Sequence, residues 1–349
     1  MIEIQLENPL QRHKRIRVDN HNHLLILGPA NSNKHRGEIF YFDSVTKMKQ
    51  AYQSKGGPLI EAFEEAQQFG APHIFVANVE SIDEYRDTFD ILEQHDFPFI
   101  LPIELSPFDY YYDASTSAMS SIPCALYPLE VMARKNHSIV IMNTDHANLY
   151  QDMDHYLEHL RLAEGFLKSH THSGMELEKF FLTANNLSDV RYANVVIAAV
   201  ISNSESVYPT EDFGEVNFLL DTNELQGSDI IYFKSHPDGV STVENLVSFQ
   251  EDGKPEKSLM ALRSAHYIQR KLDLSAFAGR HFTLDMKTLV ESAVEEFLET
   301  IKGQVIQDFG NIRAVYTPEP GGTGVLDVHF DILPRSSIYQ YRVVMGVRA

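Results

Sequence analysis

Sixteen histidines in a chain of 349 residues give metal and proton-transfer chemistry several places to arise, and one of them has catalytic spacing. His155-Tyr156-Leu157-Glu158-His159 reads H-x-x-E-H, the order of the inverted zinc peptidases. There, two histidines four apart share a helix face and hold zinc while the glutamate activates water. On a helix, however, His155 and His159 fall roughly opposite the apolar stripe of Met153, Leu157 and Leu160, beside Leu162 and Phe166, so the sequence sets them on an outer face. The pairs His21-x-His23 and His170-x-His172 read as solvated turns.

The loop Gly28-Pro29-Ala30-Asn31-Ser32-Asn33-Lys34-His35 follows an apolar run, as a phosphate-binding P-loop would. Asn33 stands where the second glycine must let the backbone wrap phosphate, and His35 replaces the magnesium-binding hydroxyl, so the segment reads as a structural turn. Tyr110-Tyr111-Tyr112 could stack on a sugar or a partner, or pack as a loop against its own domain. Cys124 is the single cysteine, which excludes an intrachain disulfide and a cysteine-cluster metal site, and between Pro123 and Ala125 it carries no activating signature. No catalytic, cofactor-binding or metal residue is assigned from the sequence.

The elements around these residues alternate. An apolar run at Leu24–Leu27 stops at Gly28-Pro29. Helical spacing follows over Ser44–Tyr52 and Leu59–Phe69, the second with Leu59, Ile60, Ala62, Phe63 and Ala66 on one side and Gly70 as its stop. Strand His73–Val79, helix Ile82–Gln94 and strand Pro98–Leu105 continue the alternation, which predicts a layered α/β domain over residues 21–253. Ser106–Pro128 reads as a long surface excursion, followed by strand Ser138–Met142, helix Leu149–Lys168 and a strand at Ala193–Ser202. Residues 254–338 read as an α+β domain with helices on a small mixed sheet. Its parts are helix Glu256–Leu274, helix Leu284–Lys302 with Met286, Leu289, Val290, Ala293, Phe297 and Ile301 on one face, and a strictly alternating strand Leu326–Ile332.

Both ends read as extended segments. Ile2, Ile4 and Leu6 alternate with polar residues, and Arg12, Lys14, Arg15 and Arg17 place four fixed positive charges within six residues, so residues 1–20 form an arm. Residues 339–349 form a terminal strand, with Tyr339, Tyr341, Val343, Met345 and Val347 on one side. A formal charge of −20 argues against a broad nucleic-acid surface and against adhesion to anionic membranes. That charge also gives the basic arm an acidic surface to meet on an identical copy, with salt-sensitive attraction. No run approaches 18 apolar residues, so membrane insertion is not expected, and the start of the chain reads as that of a soluble protein made in a cytoplasm.

Leu24-Leu25-Ile26-Leu27-Gly28, Asp43-Ser44, Gly57-Pro58-Leu59-Ile60-Glu61-Ala62 and Gly70-Ala71-Pro72-His73-Ile74-Phe75-Val76 together resemble the N-terminal part of contractile tail sheath proteins. Leu262-Arg263-Ser264-Ala265-His266-Tyr267-Ile268, Gly279-Arg280, the helix to Ile301 and the paired strands ending at Val343–Val347 resemble their C-terminal part. The resemblance implies a sheath-like α/β domain and a C-terminal assembly domain. It also implies terminal segments that leave their own subunit and add to a neighbour's sheet, with Ile2, Ile4, Leu6, Arg12, Arg15, Arg17, Tyr339, Tyr341, Val343, Met345 and Val347 as inter-subunit contacts. The implied partners are copies of the chain in stacked hexameric rings, a tail tube protein, and baseplate and tail-terminator proteins. The implied setting is a virion tail or extracellular contractile particle assembled in a bacterial cytoplasm, with helix Leu284–Lys302 as a candidate face toward the tube. Two other readings stay open: a sheath-like adaptor at a tail terminus, and a zinc peptidase built on His155, Glu158 and His159.

Overall fold

A computed structural model describes residues 22–80, 84, 97–104, 110–113, 118–123, 129, 133, 138–150, 152–169, 180–203, 210–211, 225, 228–235, 241–244, 246, 258–277, 283–318 and 324–334. The terminal segments read as exchanged strands, the helix at 82–94, Cys124 and the His170-x-His172 pair lie outside them.

Apolar runs six or fewer residues long build the centre. Strands β1 (His23–Gly28), β3 (His73–Asn78), β4 (Phe99–Pro102), β7 (Ile139–His146), β8 (Phe180–Asn185) and β10 (Ile230–Ser235) lie parallel, in the order β3-β1-β4-β7-β8-β10. The edges are antiparallel: β2 (Ile39–Tyr41) beside β3, and β11 (Ser241–Glu244) then β9 (Thr210–Glu211) beyond β10. Both outermost strands are very short, which leaves little edge for unwanted pairing.

The parallel strands are apolar on both faces because both faces are covered. Leu24, Ile26, Ile74, Val76, Phe99, Leu101 and Ile141 point into one core, and Leu25, Leu27, Ala77, Ile100, Val140 and Met142 into the other. On the first side lie helices α1 (Val45–Tyr52) and α2 (Pro58–Gln68), and on the second α3 (Met153–Ser169), with Tyr156, Leu157, Leu160 and Ala163 buried. Ser44 caps α1 by accepting from the Lys47 N–H. Gly57, at φ 146°, turns the chain into α2, where Pro58 opens the helix with its fixed φ.

Ala193–Ser202, expected as a strand, lies in helix α4 (Ala193–Asn203). Val195, Val196, Ile197, Ala198, Ala199, Val200 and Ile201 are all buried, so no polar face betrays the helical period, and a short apolar run is ambiguous between strand and buried helix. Its length, eleven residues, is the discriminating feature. The strand that fills the sheet is β8 just before it, buried at every residue. Ser106–Pro128 also differs from expectation, since it contains an antiparallel pair, β5 (Tyr110–Asp113) and β6 (Ala118–Pro123), with the tyrosine run on a strand.

After the sheet come α5 (Leu259–Lys271) and α6 (Leu284–Ile301), capped by Ser258 and Thr283, and the hairpin β12 (Ile306–Pro318) and β13 (Gly324–Pro334). The buried stripe of α6 is Val290, Val294, Leu298 and Ile301. Of the predicted stripe, Val290 and Ile301 are buried, Met286, Ala293 and Phe297 are half-buried and Leu289 is 55% exposed, so the buried line is turned toward Val294 and Leu298. The apolar sector is wide enough to contain both stripes, and only the position of the hairpin selects between them.

Candidate assembly interface

The residues with catalytic spacing are not assembled into a site. His155 is exposed, and its Nδ1 lies 2.7 Å from Asp152 Oδ1, a contact that raises its pKa. His159 stacks on Tyr150 at 5.0 Å, Glu158 is exposed, and Leu162 beside them is 60% exposed, so this is the outer face of α3 as the periodicity predicts. Among the described residues no group of three or more His, Cys, Asp or Glu side chains could hold a metal ion. His23, expected in a turn, begins β1 and packs edge-on against His73 and beside Phe75.

The Gly28–His35 loop leads into strand β2 and not into a helix as a P-loop does, and where the start of α2 meets it the Leu59 N–H is already taken by the Pro29 carbonyl at 2.9 Å. Asn78 fills its centre: its amide nitrogen donates to the Ser32 and Lys34 carbonyls and its oxygen accepts from the Ala30 N–H. Glu80 accepts from the Ser32 N–H at 2.9 Å and adds a carboxylate where a phosphate would sit. An open depression of about 400 Å³ lies here, lined by Pro29, Asn31, Ser32, Asn33 and Glu80.

Doubly wound sheets bind ligands where the strand order reverses, which in this chain is the crevice beyond β1 and β4. It is occupied by the protein's own side chains. A Cβ on Gly28 would stand 2.2 Å from Ile103 Cγ1, so the two segments meet closely. Just past Ile103, Glu104 accepts from Arg191 and from the Tyr192 hydroxyl, both at 2.8 Å, while Arg191 also pairs with Glu61 at 2.6 Å. Glu65 accepts the Arg191 and Tyr192 backbone N–H groups, and burial raises its pKa despite them. Burial, with Glu104 beside it, also pushes the Tyr192 hydroxyl far up. Sequence reasoning missed this network because its members lie 87 to 130 residues apart with no local motif.

The hairpin is the feature the fold leaves unfinished. β12 and β13 pair from Ile306↔Pro334 to Pro318↔Gly324, with one extra β12 residue after Ile306 and another after Gly310. The second bulge holds Asn311 at φ 55°, its side chain donating to Asp331. Along β13 the predicted alternation appears: Asp327, His329 and Asp331 are exposed, and Leu326, Val328, Phe330 and Ile332 face the helices. That inner face is only half-buried. The core beneath it has six buried residues, Ile268, Leu272, Val294, Leu298, Ile301 and Ile306, ringed by nine half-buried apolar ones. A two-stranded ribbon is marginal alone, and here the two helices cover it incompletely.

The two edges of the hairpin differ. Glu291 of α6 accepts the Ala314 N–H of β12 at 2.8 Å, and Lys302, just past α6, pairs with Asp308 at 2.8 Å and lies over the Phe309 ring. Among the described residues β13 has no backbone partner other than β12. Exposed Val325 and Leu333 lie on the same strand.

No protein-family model matches the sequence, and no curated protein matches it. Solved structures do. The contracted helical sheath of the anti-feeding prophage matches 100% of this chain and 96% of its own at 10% identity, with a TM-score of 0.59. The contracted sheath complex of PVC, an extracellular contractile injection system, matches 100% of this chain and 94% of its own at 10% identity and a TM-score of 0.63. A chain in the contracted anti-feeding prophage baseplate matches 99% and 98% at 11% identity and a TM-score of 0.60. The fold of this chain is therefore the fold of contractile sheath proteins, as the sequence resemblance implied.

Proposed function

We propose that this chain is a subunit of a contractile sheath, working by polymerisation and not by catalysis. Copies stack as hexameric rings around a tail tube, and rearrangement of that lattice drives the tube through a cell envelope. The observation that carries the reading is the extent of the fold match: all of this chain pairs with nearly all of a sheath subunit, at both the α/β domain and the hairpin. In this reading the remaining partners are a tube, a baseplate and a tail terminator, and the setting is a tail or extracellular particle.

In this reading the half-covered hairpin is a socket. An extended segment from another copy, Ile2–Leu6 or Tyr339–Val347, pairs with the β13 edge, because Glu291 already covers β12 at Ala314. About four hydrogen bonds per added strand, at roughly 1 kcal/mol net each, hold one exchange weakly. Several exchanges per subunit hold strongly, since each later one is intramolecular. Subunits then move as rigid bodies on segment hinges, and no nucleotide is consumed.

Negative-stain microscopy of the overexpressed protein tests the proposal. Striated tubes or stacked rings are expected, and loss of tubes from folded subunits on deleting residues 1–16 or 339–349. A monomer at high concentration would sink the sheath reading, and normal tubes from both deletions would sink strand exchange. The match to a baseplate chain favours one second reading, an adaptor at a tail terminus. Particles of a single fixed ring size would select it.

A further inference from the structure

Helix α5 belongs to two cores at once. Leu259 and Leu262 near its start are buried with α2 and α4 against the large sheet, while Ile268 and Leu272 near its end are buried beneath the hairpin. Between them sits Arg263. Its guanidinium donates to the Ile201 carbonyl at 2.8 Å and to Asn22 Oδ1 at 2.9 Å. Ile201 lies in the last turn of α4, where unpaired carbonyls carry the helix's partial negative charge. Asn22 directly precedes β1, 241 positions away in sequence.

The partners are unusual for their neutrality. Among the described residues Arg263 meets a carbonyl and an amide but no carboxylate, and burial draws its pKa down to about 10. Removing a guanidinium from water without a counter-charge is costly, and an apolar residue of similar volume would fill the space between two cores at less expense. What an apolar residue could not do is reach two backbone-level acceptors on different parts of the chain. The planar, forked guanidinium does this with little loss of side-chain freedom per bond.

We propose that Arg263 is a positioning residue that fixes the start of β1, where residues 1–21 join the described fold, to the helix shared by both cores. Three parts are thereby held in one frame: the root of the N-terminal segment, the end of α4 and the base of the hairpin. A pull applied at Asn22 is delivered to α5, and through α5 to the hairpin, instead of loading β1 alone. The claim concerns the isolated subunit and stands whether or not the chain is a sheath.

The test is backbone hydrogen exchange of the full chain, kept as unassembled subunits, in two variants that bracket the contact. Asn22→Ala removes the acceptor at the root and leaves the Arg263–Ile201 bond in place. It is expected to speed exchange at His23 and Leu24 about tenfold, the loss of one hydrogen bond to a charged group, with β4 and β7 amides unchanged. Asn22→Asp places a carboxylate beside the guanidinium, and is expected to slow the same amides below the unmodified chain and to make their protection fall with salt. A purely packing role for Arg263 would move neither variant at His23 and Leu24. Unchanged exchange there in both variants, or acceleration spread evenly over the sheet in Asn22→Ala, would overturn the proposal. Arg263→Met adds the complementary arm, and if it does not fold the two Asn22 variants decide alone. Failure of the unmodified chain to form tubes would count against the sheath reading and leave this inference intact.

Discussion

Replacing Glu291 tests whether α6 clamps the hairpin. Its Oε1 accepts a single backbone N–H, that of Ala314, at 2.8 Å, and the geometry is that of a charge-assisted bond. Such bonds contribute about 1.5–3 kcal/mol, but the Glu291 side chain is 26% exposed and Lys287 stands 3.8 Å away, so water and the lysine share the carboxylate. The low end, about 1.5 kcal/mol, is therefore expected, which is a factor of about ten in an opening equilibrium. Because one amide is involved, the assay can be local: the exchange rate of Ala314 in Glu291→Ala should rise about tenfold, with Val290 and Val294 of the helix unchanged. Glu291→Gln keeps an oxygen acceptor and should recover most of the protection. Equal loss in the alanine and glutamine variants, or no loss in either, would refute the clamp and with it the argument that an added strand pairs with β13.

Other substitutions separate neighbouring claims. Leu298→Ala should destabilise the hairpin unit by about 2–4 kcal/mol while Leu289→Ala stays within about 0.5, because only the first is buried; denaturant melts followed by hairpin fluorescence or exchange would reveal a reversed order. Gly28→Ala should cost about 1–3 kcal/mol by driving a Cβ into Ile103, and Ile103→Ala in the same chain should recover part of it in a double-mutant cycle; strict additivity would mean the crevice is looser than described. Glu65 has a raised pKa, so between its ordinary and raised values the folded chain holds more protons than the unfolded one, and this residue's contribution to stability falls as pH rises through that window. Urea midpoints of Glu65→Gln should lack that component, and an identical pH profile in the variant would remove the assignment. Elemental analysis should find no stoichiometric zinc that is lost in His155→Ala, and finding it would revive the peptidase reading.

Much of the framework is legible from sequence because each of its signals is local. Ser44, Gly57-Pro58 and Gly70 bracket α1 and α2 by capping and turn chemistry, and the outward placement of His155 follows from helical periodicity alone. The alternation of Leu326–Ile332 correctly predicts which side of β13 faces the helices, but not that the covering is partial, since coverage depends on how far α5 and α6 reach across the ribbon. Helix α4 is misread because it is buried all round, and β8 is overlooked because its six residues carry no alternation. Arg263 enters the sequence reading only within a resemblance, and its partners at Ile201 and Asn22 could not be inferred from spacing. The Glu61, Glu65, Glu104, Arg191 and Tyr192 network is likewise a product of topology, formed where strand order reverses.

The double membership of α5 also orders events in time. Its first turns find their apolar partners only in the large sheet, among residues synthesised long before, and its last turns support the hairpin made after it. A nascent chain therefore acquires a hairpin rooted on solid ground only after the α/β layers have closed. Domains emerging N-terminal first fold as units in that order, and a strand edge displayed early would be a hazard while neighbouring chains are still incomplete. By making the late element lean on the early core, the chain ties completion of the hairpin to completion of the α/β layers.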